Sequence, residues 1–184
     1  MLSMPVPTVL VILANGFEEV EAVTPIDVLR RAGAEVTVAT TGDGVHVTGR
    51  NRVTLHADTT LSAVAGAEFD CVVLPGGPGV SLLRNDSRVL DIVRRQHARG
   101  GWIAAICAAP VVLKAAGILD GMRFTAHFSV GAELPDALQD ERVVLDGKLI
   151  TSRGAGTSLD FALLLAEQLF SREKASEIAR SISA

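Results

Sequence analysis

Cys107 stands where an apolar run, Trp102-Ile-Ala-Ala-Ile106, passes into Pro110-Val-Val-Leu-Lys-Ala-Ala116 with no intervening loop. A strand that becomes a helix so abruptly forces an unusual backbone angle on the junction residue. It also requires small neighbours two positions away, and Ala105 and Ala109 meet that requirement in the manner of a nucleophile elbow. The helix that follows turns its first amides toward the sulfur, which predicts a lowered thiol pKa and a larger thiolate fraction. The competing fate of Cys107 is that of a buried, inert thiol. Cys71 lies inside the aliphatic run Asp70-Cys-Val-Val-Leu74 rather than at its end, so packing is the reading there.

A thiolate needs a proton partner. Glu21 is flanked by Val20, Ala22 and Val23, a setting that turns it toward a sheet edge, where burial raises a carboxyl pKa and lets it donate to a thiolate. Glu18 and Glu19, at the same helix start, need no role beyond complementing the helix dipole. Gly76-Gly77 ends an apolar run and precedes Pro78; glycines there either let the backbone approach a ligand and aim amides at an oxyanion, or make a plain tight turn. Of four histidines, His127 is the one placed to reach Cys107; His46, His56 and His97 read as solvated surface. No close His/Cys/Asp spacing suggests a metal, and no Gly-Lys-Ser/Thr or G-x-G-x-x-G element suggests a nucleotide. Arg153-Gly-Ala-Gly-Thr157 opens a helix, as an anion-binding turn or as a simple cap.

These residues need elements to hold them. Thr8 to Ala14 is an aliphatic run of the kind buried on both faces of a parallel sheet. Glu19 to Ala32 reads as a helix stopped by Gly33, and Glu35 to Thr40 as a second strand. Val45 to Leu55 reads as an antiparallel excursion. Asp70 to Leu74 is a further strand, and Asp86 or Ser87 caps a helix to about Arg99. A short strand-like run precedes His127. Val143 to Thr151 is a hairpin turning at Asp146-Gly147. Two helices close the chain, the first capped by Thr157, the second striped by Ala175, Ile178, Ala179 and Ile182. Alternating strands and helices with short links predict an α/β fold, a mostly parallel sheet with helices on both faces. Ligands bind beyond the carboxyl ends of such strands, and the Glu21, Gly76-Gly77 and Cys107 segments all leave strands at that edge.

The chain has 184 residues, 48% of them hydrophobic and 21% charged, which suits one ordinary globular domain with a sizeable core. A net charge of −4 gives no basic footprint for nucleic acid. Met1 to Ala14 lacks a positive leader and runs directly into Gly16-Phe-Glu-Glu19, so no export signal is read and a cytoplasmic location is expected. No apolar run approaches the length of a membrane span. Two cysteines are too few for a disulfide framework.

Four ordered motifs carry a resemblance over nearly the whole chain, Val9 to about Ala179. They are Val-Ile-Leu-Ala-Asn-Gly-Phe-Glu-Glu-Val-Glu21, Val72-Val-Leu-Pro-Gly-Gly77, Ala104-Ala-Ile-Cys-Ala-Ala-Pro110 and Thr151-Ser-Arg-Gly-Ala-Gly-Thr-Ser158. In these the chain resembles the ThiJ/PfpI superfamily, and more closely its small Parkinsonism-associated, protein-deglycase-like branch. The resemblance implies a single flavodoxin-like sandwich domain over 1–184 and a homodimer. It implies that Cys107 is the nucleophile and oxidation-sensitive thiol, hydrogen-bonded by Glu21. Gly77 and Ala108 match backbone donors near the sulfur, His127 the nearby histidine, and Arg153 an arginine near the dimer contact. The region Arg50-Asn-Arg52 has no clean counterpart and receives no role. Two departures narrow the choice. The residue after the cysteine is Ala108 where the peptidase-like branch has histidine, and no His-x-Glu follows Cys107 as in glutamine amidotransferases.

The expected activity is a cysteine-dependent, cofactor-independent glyoxalase or protein deglycase. It acts on 2-oxoaldehydes such as methylglyoxal, or on their adducts with protein. The rival reading is a redox-sensing thiol protein or chaperone without turnover, in which Cys107 oxidises to sulfenic or sulfinic acid.

Overall fold

In the computed structural model, which describes residues 5–184, a central sheet of seven strands has the order β5-β2-β1-β6-β7-β9-β8. Its strands are β1 (Thr8–Leu13), β2 (Glu35–Thr40), β5 (Thr59–Thr60), β6 (Cys71–Leu74), β7 (Trp102–Ile106), β8 (Val143–Asp146) and β9 (Leu149–Ser152). All neighbours are parallel except β8, which returns antiparallel along β9. β3 (His46–Thr48) and β4 (Thr54–His56) form a separate antiparallel ribbon.

The continuous aliphatic runs feed two cores. Leu10 and Ile12 of β1 face one side and Val9, Val11 and Leu13 the other, and all are fully buried. The first side is covered by α2 (Leu61–Val64), α3 (Val80–Asn85), α4 (Ser87–Ala98) and α5 (Pro110–Ala116). The second is covered by α1 (Glu19–Ala32), α6 (Ser158–Leu169) and α7 (Arg172–Ser181), with Phe161 and Leu165 at its centre. A strand with apolar side chains on both faces needs helices on both faces, so this is a flavodoxin-like sandwich. No helix among the described residues is long and apolar enough to cross a membrane.

The structure departs from the sequence reading at particular places. α2, α3 and β5 were not foreseen; each is too short to show a period. The run before His127 is not a strand. β9 already occupies the edge of β7, and the Thr125 amide donates instead to the Thr151 hydroxyl. Thr157 precedes α6, but its hydroxyl donates to the Gly154 carbonyl and accepts the Gly154 amide, so it closes the turn before the helix rather than capping the helix. The β8–β9 loop is Gly147-Lys148, with Gly147 at φ 55°, one residue later than expected.

Candidate active site

Three strand ends meet at one edge. β1 leads into α1, β6 ends at Gly76, and β7 ends at Cys107. The adjacent pair β1 and β6 is where the strand order reverses, β2 lying on one flank and β7 on the other, so a crevice opens between them.

Cys107 has φ 64°, a left-handed conformation that a side-chain-bearing residue adopts only where its surroundings impose it. The surroundings do so by pinning both sides of the residue. Its amide donates to the Ser152 carbonyl at 2.8 Å, and its carbonyl accepts the His127 amide at 2.8 Å. Ala105 and Ala109, the small neighbours, are fully buried. The amides of Gly77 and Ala108 and the Glu21 carboxyl all lie close enough to the sulfur to bear on its ionisation.

Glu21 is 1% exposed. Its Oε2 accepts the Gly76 amide at 2.9 Å, while its own amide donates to Glu18 Oε2 at 2.9 Å. Gly76 therefore positions the acid, and of the glycine pair Gly77 is the one whose amide faces the sulfur. A Cβ on Gly76 would stand 2.5 Å from Glu21 Oε2 and 2.6 Å from the Cys107 Cβ, so glycine is required for the pair to meet. Gly77 has φ 92°, which only glycine adopts without strain.

Burial raises the Glu21 pKa to about 7, opposed by the hydrogen bond with Cys107, assisted by the Glu18 charge, and opposed again by the Gly76 amide and by Arg50. Cys107 corrects the expectation of a lowered thiol. Burial first, then the charge of ionised Glu21 and the hydrogen bond to it, push the thiol up to about 12 against the two amide donors. The reason is visible in the fold: α5 is only seven residues long and begins three residues beyond the sulfur. Its dipole is outweighed. When Glu21 holds the proton its repulsion of a thiolate vanishes, while burial, the larger cause of the raised thiol, remains. The two groups titrate as one pair, whose first proton leaves near neutrality. Cys71 is fully buried and its thiol is held above the ordinary range by that burial and by Asp70.

The sulfur opens on a cavity of about 380 Å³ lined by Glu18, Glu21, Arg50, Gly77, Ala108 and His127, among others. His127 is half-buried; its Nδ1 pairs with the Ser129 hydroxyl at 2.8 Å, and Phe128 packs on its ring at 4.1 Å. A neighbouring cavity of about 580 Å³, lined by Arg142, Arg153 and Phe128, shares His127 and Ala155 with the first. Arg153 donates to the Gln139 carbonyl and has no carboxylate partner among the described residues. His46, His56 and His97 are exposed and lie outside both cavities.

A profile of the DJ-1/PfpI family matches residues 7–168. The chain belongs to the DJ-1/PfpI family. It is 46% identical over 177 residues to Protein dj-1beta of Drosophila melanogaster, covering 94% of this chain and 95% of that one. The crystal structure of that fly protein superposes with a TM-score of 0.93 at 44% identity, covering 98% of this chain and 99% of the other. A glutathione-independent glyoxalase of Caenorhabditis elegans, DJR-1.2, is 34% identical over 169 residues, covering 90% of this chain and 89% of the relative. The structure of oxidized Toxoplasma gondii DJ-1 has a TM-score of 0.91 at 38% identity, covering 96% of this chain and 97% of the other.

Within this DJ-1/PfpI chain, two site residues were missed by sequence reasoning. Arg50 lines the Cys107 cavity and is carried there by the ribbon, its amide donating to the Phe17 carbonyl at 2.9 Å. Glu19 does more than complement a dipole. Its carboxylate accepts the Asn51 amide at 2.7 Å and Asn51 Nδ2 at 3.0 Å, tying the ribbon's tip to α1. The ribbon follows β2 at the same sheet edge, which was the signal available for Arg50.

Proposed function

We propose that this chain is a cysteine-dependent glyoxalase that converts 2-oxoaldehydes such as methylglyoxal, or their adducts on protein, to 2-hydroxy acids without a cofactor. The observation that carries the reading is the buried Glu21 carboxyl set beside the Cys107 sulfur in one cavity. The glyoxalase name of the nematode relative supports the same chemistry.

In this mechanism the proton of the pair sits on Glu21 and the Cys107 thiolate adds to the aldehyde carbon. The resulting oxyanion takes the Glu21 proton, giving a hemithioacetal. The Glu21 carboxylate then removes the hydrogen on that carbon and returns it to the adjacent carbon through an enediol, while the hydroxyl proton passes between the two oxygens. The product is a 2-hydroxyacyl thioester of Cys107. Water hydrolyses it, releasing lactate when methylglyoxal is the substrate and restoring the thiol. The amides of Gly77 and Ala108 stabilise the developing charge, a contribution of about 3 kcal/mol per donor in comparable sites. His127 orients substrate and water. Arg153 meets an anionic group of a larger adduct across the adjoining cavity. Methylglyoxal consumption and lactate formation test the reading: wild type turns over, and Cys107→Ser and Glu21→Gln do not. Equal rates for wild type and Cys107→Ser overturn it.

A second reading has its own support, since the Toxoplasma relative was solved in an oxidized form. Peroxide oxidises the Cys107 thiolate to sulfenic acid with release of hydroxide, and a second peroxide gives sulfinic acid and water. The donors that face the sulfur suit those oxygens. Intact mass after mild peroxide reads this directly: a gain of two oxygens on Cys107 supports it, and an unmodified chain removes it.

We also infer a homodimer, supported by exposed Val20 and Val23 on one face of α1 beside exposed Val53 of the ribbon.

A further inference from the structure

We infer that His46 and His56, on the ribbon that carries Arg50, form a two-nitrogen chelate for a late first-row divalent metal ion, Cu²⁺ or Zn²⁺. Strand register brings the two histidines together. His46 lies opposite His56, Val47 opposite Leu55 and Thr48 opposite Thr54. The Ala57 amide donates to the Val45 carbonyl and the Gly49 amide to the Val53 carbonyl. Hydrogen-bonded pairs alternate along an antiparallel ladder, so Val47–Leu55 is one, and His46–His56 and Thr48–Thr54 are the non-hydrogen-bonded pairs, where side chains stand closest. The two threonine hydroxyls bear this out, meeting at 2.9 Å on the same face.

That face looks outward. His46, His56, Thr48 and Thr54 are exposed, while Val47 is buried on the other side. The imidazole ring centres are 5.0 Å apart with planes at 87°. With a metal–nitrogen bond of about 2.1 Å, each ring centre would lie about 3.2 Å from a shared ion, so two rings turned to one ion at this separation would subtend about 100° at it. That lies between the right angle of a tetragonal site and the tetrahedral angle, the geometries of Cu²⁺ and Zn²⁺. Imidazole nitrogen suits both ions, and among the divalent ions Cu²⁺ binds such donors most tightly. Water fills the remaining positions. Neither histidine touches the Cys107 cavity, so the site is separate from the chemistry proposed there. Because the ribbon's tip is latched to α1 through Glu19, both strands are presented as one rigid pair before an ion arrives.

The test uses the full chain without an added histidine tag, carrying Cys107→Ser so that the thiol neither binds nor reduces the ion. Titration calorimetry with Cu²⁺ alone and with Zn²⁺ alone reads affinity, and electron paramagnetic resonance of the Cu²⁺ complex reads the number of nitrogen donors. The expected result is saturable binding with two imidazole nitrogens. His46→Phe and His56→Phe, which keep an aromatic edge contact, each weaken binding by at least about tenfold, since even loss of a ligand's supporting partner costs about 10–100-fold. Circular dichroism confirms that both variants fold. No saturable binding, or unchanged affinity and nitrogen count in both variants, overturns the inference.

Discussion

Glu21 is the residue on which the site turns, because its burial sets the proton inventory of the cavity. In the unfolded chain it loses its proton near 4.5, and in the folded protein near 7. Between those values the native state holds the extra proton, so folding stability falls as pH rises through that window. The full loss is on the order of 3 kcal/mol above pH 7. Glu21→Gln removes this contribution. Denaturant unfolding at pH 4.5 and pH 8 should therefore show wild type losing that much more stability than Glu21→Gln over the same interval; equal losses would contradict the burial argument. That Cys107 sits at the junction was legible in the sequence, because an apolar strand running straight into a helix leaves little choice about where its junction residue points; Glu21 was read from its apolar flanks, and Ala108 entered only through the family resemblance. The direction of the thiol shift was not legible. It depends on how far a seven-residue helix reaches against full burial and a neighbouring carboxylate, and only coordinates weigh those terms.

The ribbon β3–β4 is the element whose role was least visible. The sequence predicted an antiparallel excursion over Val45 to Leu55, and one is present over residues 46–56. What the pattern could not reveal is the latch, because an acid at a helix start already has a sufficient explanation in the dipole. Burial works to raise the Glu19 pKa, and the hydrogen bonds from its own amide, Asn51 and Val53 outweigh it, so the carboxylate is the form that holds the tip. Glu19→Ala frees the Asn51 and Val53 amides and lets Arg50 drift from the cavity. Hydrogen exchange at those amides should speed up by an order of magnitude or more, with KM for methylglyoxal rising and the Cys107 alkylation rate little changed. Protection equal to wild type would mean that the ribbon is held by something else. The short elements α2, α3 and β5 escaped the sequence for a plainer reason: four to six residues of helix, or two of strand, carry no measurable period.

At the scale of the molecule, the doubly covered sheet was legible from its aliphatic strands, since only helices on both faces can bury Val9 to Leu13 completely. The surface it leaves is also informative. Exposed Val20 and Val23 lie three apart on α1, next to the ribbon that bears Val53. If this face pairs with a second copy, Val20→Lys with Val23→Glu converts a dimer to a monomer in sedimentation equilibrium, with the circular dichroism spectrum unchanged; a monomeric wild type would remove the pairing. The same sheet brings three strand ends to one crevice, and the central claim is that two groups placed there share a proton. The direct test is the rate of Cys107 alkylation by iodoacetamide across pH 5 to 11, in wild type and in Glu21→Gln. The shared proton predicts a rise centred near 7 in wild type, moving up toward the ordinary thiol range when the carboxyl is gone. A single rise at or above that range, the same in both proteins, would contradict it.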